Sequence, residues 1–168
     1  MELITDDYRR LNAEMHERMP DYGVQGREHV IDIDRLAKSL NTQDILDYGC
    51  GKGTLAMHFP FTLKHYDPAI PKHADLPEPA DLVVCTDVLE HIEPILIGNV
   101  LDHLKSLTKK VLYATICVKK AKKSLPDGRN AHLIVEPPQW WFSALSDKFE
   151  IINYSAADNH VLVVCVPK

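Results

Sequence analysis

The chain has 168 residues, 45% of them apolar, with a formal net charge of −5 at pH 7 and a pI near 6.0. This suits one globular domain with a real core. It argues against a protein living on bare nucleic acid, which needs a broad basic field, and no apolar run is long enough to span a membrane. The four cysteines (Cys50, Cys85, Cys117 and Cys165) sit in or beside apolar segments, and none forms a C-x-x-C pair. Structural zinc is therefore not expected, and buried thiols in a reducing compartment are. Residues 1–20 are rich in Asp, Glu and Arg and show no apolar leader segment, which points to a cytoplasmic protein.

The periodicity predicts helices over residues 6–19 and 27–40, separated by Pro20-Asp21-Tyr22-Gly23. Residues 1–40 then read as a helical flap and 41–168 as an α/β core. Asp44 to Tyr48 is the first strand, and Thr54 to His58 is at most a short helix because Pro60 stops it. Phe61 to Tyr66 is the second strand, ending at Asp67-Pro68. A proline-rich loop over 68–80 leads to Asp81–Thr86, whose continuous apolar run marks a strand buried on both faces. A helix is expected over Pro94–Leu107, then a strand over Val111–Val118. Residues 119–135 read as a loop, Pro137–Ser146 as a helix opened by proline, and Phe149–Ser155 and His160–Val166 as a terminal strand pair. This order predicts a doubly wound, mostly parallel sheet with one antiparallel member.

Ile45 to Gly53 is the most informative stretch. A short apolar strand runs into a turn carrying Gly49, Gly51 and Gly53, residues that adopt φ > 0 and admit close approach of a ligand. Asp47 lies where such a strand meets the crevice at the sheet's carboxyl edge. The spacing fits neither the dinucleotide fingerprint nor a P-loop. Asp67 ends the second strand about twenty residues further on, where an acid meets a ribose diol. An Asp-Pro turn initiator is the plainer reading.

Leu46-Asp47-Tyr48-Gly49-Cys50-Gly51-Lys52-Gly53 resembles the first motif of class I S-adenosylmethionine-dependent methyltransferases. Ala80-Asp81-Leu82-Val83-Val84-Cys85-Thr86-Asp87-Val88-Leu89-Glu90-His91-Ile92 resembles their fourth. The resemblance spans residues 40–168 and implies the Rossmann-like methyltransferase fold with S-adenosylmethionine as cofactor. It assigns Asp47, Gly49, Cys50, Gly51, Asp67, Pro68, Asp75, Thr86, Asp87 and Val88 to the cofactor. The family usually fits a helix, an edge strand and a second helix between Asp67 and Asp81. The loop here is too short for them, so the edge strand is expected to be lost. The adenine pocket would then come from Pro71–Pro77, with Asp75 near the adenine amino group and Leu76 on the ring; a solvated Asp75 is the other reading.

On the acceptor side, Asp87, Glu90 and His91 would share one face of a helical turn, though Glu90 and His91 also suit a polar helix start. Asp127-Gly128-Arg129-Asn130-Ala131-His132 precedes the aromatic run Trp140-Trp141-Phe142. The resemblance makes His91 and His132 the candidate bases, since an unperturbed imidazole titrates near neutral pH. Small-RNA terminal 2′-O-methyltransferases carry a similar carboxylate and histidine set that binds a divalent metal. Glu90, His91 and His132 are the corresponding residues, with the metal-free reading preferred. Lys119, Lys120, Lys122 and Lys123 read either as a solvated run or as a phosphate-contacting rim. The expected function is methylation of an O or N on a small polar acceptor, such as a sugar or nucleotide derivative. Two alternatives are a metal-assisted methyltransferase of nucleic-acid ends, disfavoured by the acidic charge, and a non-catalytic cofactor-binding subunit.

Overall fold

A strand that is apolar on both faces must be covered on both, and Ala80–Thr86 (β3) organises the molecule in that way. In the computed structural model, residues 1–20, 22–23, 28–157 and 159–168 are described. Two helices, α1 (Asp6–Arg18) and α2 (Val30–Ser39), precede β1 (Ile45–Tyr48), β2 (Lys64–Tyr66) and β3. Then follow α3 (Ile97–Leu107), β4 (Thr108–Cys117), α4 (Pro138–Ser146), β5 (Phe149–Ala157) and β6 (His160–Pro167). The six strands form one sheet in the order β2-β1-β3-β4-β6-β5. The first three pairings are parallel, and β6 runs antiparallel to both neighbours. This is the predicted doubly wound arrangement.

Alternate residues of β3 serve opposite layers. Val83 and Cys85 face a core built with Leu101 and Leu104 of α3 and Trp141 and Leu145 of α4. Leu82 and Val84 face the other layer, with Ile33 and Ala37 of α2. The second helix is thus part of the sheet's cover, not of an N-terminal flap. Only α1 stands away from the sheet. Its Tyr8 and Met15 pack with Ile4 and with Leu125 of the loop after β4 in a separate cluster.

Several boundaries moved. Asp21 and Arg27, expected in the interhelical break and at the start of the second helix, lie outside the described residues. The second strand keeps only Lys64–Tyr66, because pairing with β1 begins at Lys64. The helix expected from Pro94 starts at Ile97, after a turn in which Leu96 N–H bonds the Glu93 carbonyl. Between Asp67 and Ala80 the chain forms only a 3-10 turn, Pro71–His73, so the expected loss of the edge strand is what the fold shows.

Candidate active site

Three devices shape the turn after β1. Gly49 and Cys50 N–H both bond the Tyr66 carbonyl at the end of β2, at 2.7 and 3.1 Å. Asp67 then closes the turn from the side: Oδ2 accepts Gly51 N–H and Oδ1 accepts Ala69 N–H, both at 2.9 Å. Gly49 and Gly51 take φ of +74° and +51°. A Cβ on Gly49 would come within 2.8 Å of Val88 Cγ1, and one on Gly51 within 2.7 Å of the Gly23 carbonyl. At Gly51 the space is therefore filled by the N-terminal segment. Lys52 ties that segment down, its Nζ donating to the Met19 and Pro20 carbonyls at 2.8 and 2.9 Å.

Beyond the turn lies a cavity of about 880 Å³, within the size range of cofactor pockets. Asp47, Gly49, Cys50, Gly51, Asp67, Pro68, Thr86, Asp87 and Val88 line it, as do His91 and His132. Asp75 does not line it. It is exposed, and Leu76 is 73% exposed. The reason is local: Asp67 N–H bonds the His73 carbonyl and His73 N–H the Ile70 carbonyl, so the loop curls back before Ala74. Of this stretch, Pro68 and Ala69 line the cavity and Pro71–Pro77 do not.

The floor of the cavity is acidic. Burial, reinforced by the charge of Asp67, pushes the Asp47 carboxyl up to about 7, because removing water penalises the ionised form. Among the described residues Asp47 has no ion-pair partner. Asp87 takes φ +52°, unusual for a residue with a side chain. Burial raises its pKa too, and its Oδ1 has no hydrogen-bond partner.

Asp87, Glu90 and His91 do not share a helix face as expected. Leu89–His91 is a single 3-10 turn, and Asp87 precedes it; Asp87 and His91 line the cavity while Glu90 does not. Glu90 is fully buried and lies behind the cavity wall; its Oε1 accepts Cys117 N–H at 2.7 Å and its Oε2 has no partner. Burial and then the neighbouring Asp87 charge raise its pKa to about 8. Burial and the Asp87 charge thus both favour the protonated form of Glu90. His91 donates from Nδ1 to the Ala131 carbonyl at 2.8 Å, leaving Nε2 as the acceptor. Burial and the His132 ring lower its pKa to about 4. The two imidazoles meet edge to face, 4.7 Å between centroids, and His132 Nδ1 donates to the Lys119 carbonyl at 2.5 Å.

The set Glu90, His91 and His132, which sequence offered only as the alternative to a metal-free site, does not converge as named. Among the described residues, the donor atoms that converge within 4.8 Å belong to Glu90, Cys117 and His132; His91 is not in the group. Sequence reasoning also missed α1. Tyr8, Asn12 and His16 line the cavity. Tyr8 donates to the His91 carbonyl at 2.5 Å, and Thr5 bonds the Glu93 carboxylate through its N–H at 2.9 Å and its hydroxyl at 2.7 Å. The spacing of Tyr8, Asn12 and His16 on α1 was available, but nothing local says which face of an N-terminal helix meets the far end of a sheet. The aromatic run of α4 serves packing instead: Trp141 is wholly buried in the core, and Trp140 and Phe142 are partly exposed outside the cavity.

A family profile described as a methyltransferase domain matches residues 12–159. No curated protein matches the chain. Among solved structures, the fold is similar to that of N-methyltransferase NodS from Bradyrhizobium japonicum WM9, in complex with S-adenosyl-L-homocysteine. That match has a TM-score of 0.64 at 16% identity, covering 96% of this chain and 99% of that one. Magnesium protoporphyrin IX methyltransferase from Synechocystis PCC 6803, with bound SAM, gives 0.62 at 16% identity over 100% of both chains. The 1,6-didemethyltoxoflavin-N1-methyltransferase of Burkholderia thailandensis, with its acceptor and S-adenosylhomocysteine bound, gives 0.65 at 15% identity over 100% of this chain and 92% of that one.

Proposed function

The chain belongs to the methyltransferase-domain family, and on that premise we propose that it methylates an oxygen or nitrogen of a small, anionic polar acceptor, such as a sugar or nucleotide derivative. The cofactor is S-adenosylmethionine. The observation that carries this reading is the split of charge within one cavity. Asp47 and Asp67 line its floor beside the glycine turn, while Lys119, Lys120 and Lys122 line its mouth. Among the described residues none of these three lysines has an ion-pair partner. A cofactor carrying an ammonium and a sulfonium complements the acidic floor, and an anionic acceptor complements the lysines. No helix of the described residues is long and apolar enough to cross a membrane.

When bound, S-adenosylmethionine supplies a methyl group already activated on sulfur, so the protein's task is chiefly placement and proton removal. The floor residues suit the two ends of that cofactor differently. Asp47, a buried acid without a cation, suits its positive end. Asp67 already accepts two backbone N–H groups, so it offers ribose hydroxyls only its remaining lone pairs. On the acceptor side His91 is held neutral, with Nε2 free to accept a hydrogen bond and orient the acceptor. His132 is the base, its free nitrogen defined by the bond from Nδ1 to Lys119. The flap of this reading shrinks to α1 with Tyr22 and Gly23, tied to the core by Thr5, Tyr8 and Lys52.

Titration calorimetry with S-adenosylhomocysteine tests the first half; one-to-one binding is expected, and a protein that ignores it but binds NAD sinks the reading. Methyl transfer to phosphorylated or carboxylated acceptors, followed by mass spectrometry, tests the second. Lys119→Glu with Lys120→Glu should lower kcat/KM for anionic acceptors and spare uncharged analogues.

A further inference from the structure

We propose that Glu90, Cys117 and His132 form a three-donor site for a divalent transition-metal ion of the zinc type, with its open position facing the cavity. The three come from separate elements: the turn after β3, the end of β4, and the loop before α4. Their donor atoms nevertheless lie within 4.8 Å of one another. Ligands on a tetrahedral zinc lie about 3.3–3.8 Å apart, given bond lengths of about 2.0–2.3 Å. Closing the set requires the donor atoms to approach one another by about 1 Å.

Each donor is oriented by a bond to backbone. Glu90 Oε1 accepts Cys117 N–H at 2.7 Å, which leaves Oε2, buried and without a partner. His132 gives its Nδ1 proton to the Lys119 carbonyl at 2.5 Å, and the Cys117 thiol faces the same carbonyl at 3.7 Å. A carbonyl that accepts from one ring nitrogen is the usual support of an imidazole that binds metal through the other. The donor types decide the ion. A thiolate, an imidazole and one carboxylate suit zinc and its neighbours, whereas magnesium and calcium want oxygen alone. Three protein ligands with a fourth position open is the arrangement of a reactive zinc site. Cys117 and His132 both line the cavity, so the open position meets its contents. An acceptor heteroatom bound there would lose its proton more readily. In the ion-bound protein His132 is a ligand and no longer the base, and the ion's acidification of the acceptor replaces that role; this consequence rests on the methyl-transfer reading, whereas the binding of the ion does not.

The other occupant of Glu90 Oε2 is a proton, and cobalt distinguishes the two. Chelator-treated full-length protein titrated with Co²⁺ should bind one equivalent with the intense visible bands of tetrahedral cobalt and a near-ultraviolet thiolate-to-cobalt band. Zn²⁺ should displace it. Cys117→Ser should abolish the ultraviolet band, and His132→Asn should weaken cobalt binding roughly 10- to 100-fold. Retained S-adenosylhomocysteine binding shows that each variant is folded. No tetrahedral spectrum in wild type, or one that survives both substitutions, overturns the site and leaves a proton on Glu90. A signal lost only in His65→Ala would place the ion at the stacked His65–His73 pair instead, and would also overturn it. In the wild-type protein, absence of cobalt binding with cofactor binding intact sinks this inference alone, while cobalt binding without cofactor binding sinks only the cofactor reading.

Discussion

The two ends of the cavity are built from different materials. The end beside β1 and β2 is made of backbone: peptide N–H groups, glycines at positive φ, and one aspartate whose oxygens are both occupied by main chain. The end beside β3 and β4 is made of side chains, and several are left incomplete. Asp87 Oδ1 and Glu90 Oε2 have no partner, Asp87 holds a strained φ, and His91 is forced neutral by its surroundings. A backbone cradle fixes a shape and tolerates little variation. A cluster of unsatisfied, titratable side chains has free energy still to gain from a ligand. The contrast suits the proposed reading, with the cofactor at the first end and the acceptor at the second.

The largest effect should come from filling the cradle. Gly49→Val places a branched side chain at positive φ against Val88. It should cost on the order of 2–5 kcal/mol and remove measurable S-adenosylhomocysteine binding. Calorimetry showing affinity within tenfold of wild type would break the comparison at its first end. The second end is tested by His132→Ala. Turnover should fall roughly 10²- to 10⁴-fold while the Kd for S-adenosylhomocysteine stays unchanged. Equal losses in both quantities would mean that the two ends are not separate.

Asp67→Ala should have a smaller effect, because it strands the Gly51 and Ala69 N–H groups without removing the glycines. An affinity loss of about 1–3 kcal/mol is expected, and an unaltered Kd would reduce Asp67 to an initiator of the Asp-Pro turn. The mildest test uses pH. The Asp47 carboxyl is raised to about 7 in the empty protein, and a cationic ligand favours its ionised form. Affinity for S-adenosylhomocysteine should therefore climb as pH rises through about 7 and then level off, with a slope of up to about tenfold per unit. Asp47→Asn should flatten that profile. The same raised pKa has the opposite sign for the empty fold. Its contribution is fully present below the unfolded pKa of about 3.9 and is lost as pH rises through 7, so ligand-free protein should melt lower at pH 7.5 than this group alone would allow at pH 5.

The cradle was legible from sequence because its determinants are contiguous. Ile45 to Gly53 contains the strand, the turn and the residues that need positive φ, and strand order follows from elements that alternate along the chain. The acceptor end was legible only as a list of reactive residues. Asp87, Glu90 and His91 were placed on one face by assuming a helical turn, and the 3-10 geometry sent Glu90 inward to Cys117 and His91 toward Ala131. The adenine loop failed for a similar reason, since the hydrogen bonds between Asp67 and His73 turned Asp75 outward.

By itself, then, the sequence determined the sheet, its two-sided cover, and the glycine turn, because periodicity and backbone permissiveness are properties of neighbouring residues. Tertiary structure alone decided that α1 lies across the cavity, that Gly51 abuts Gly23, and that Cys117 replaces His91 beside Glu90 and His132. Those juxtapositions depend on where separate elements end in space. Side-chain direction at such ends is set by burial and by whichever backbone group happens to be within reach.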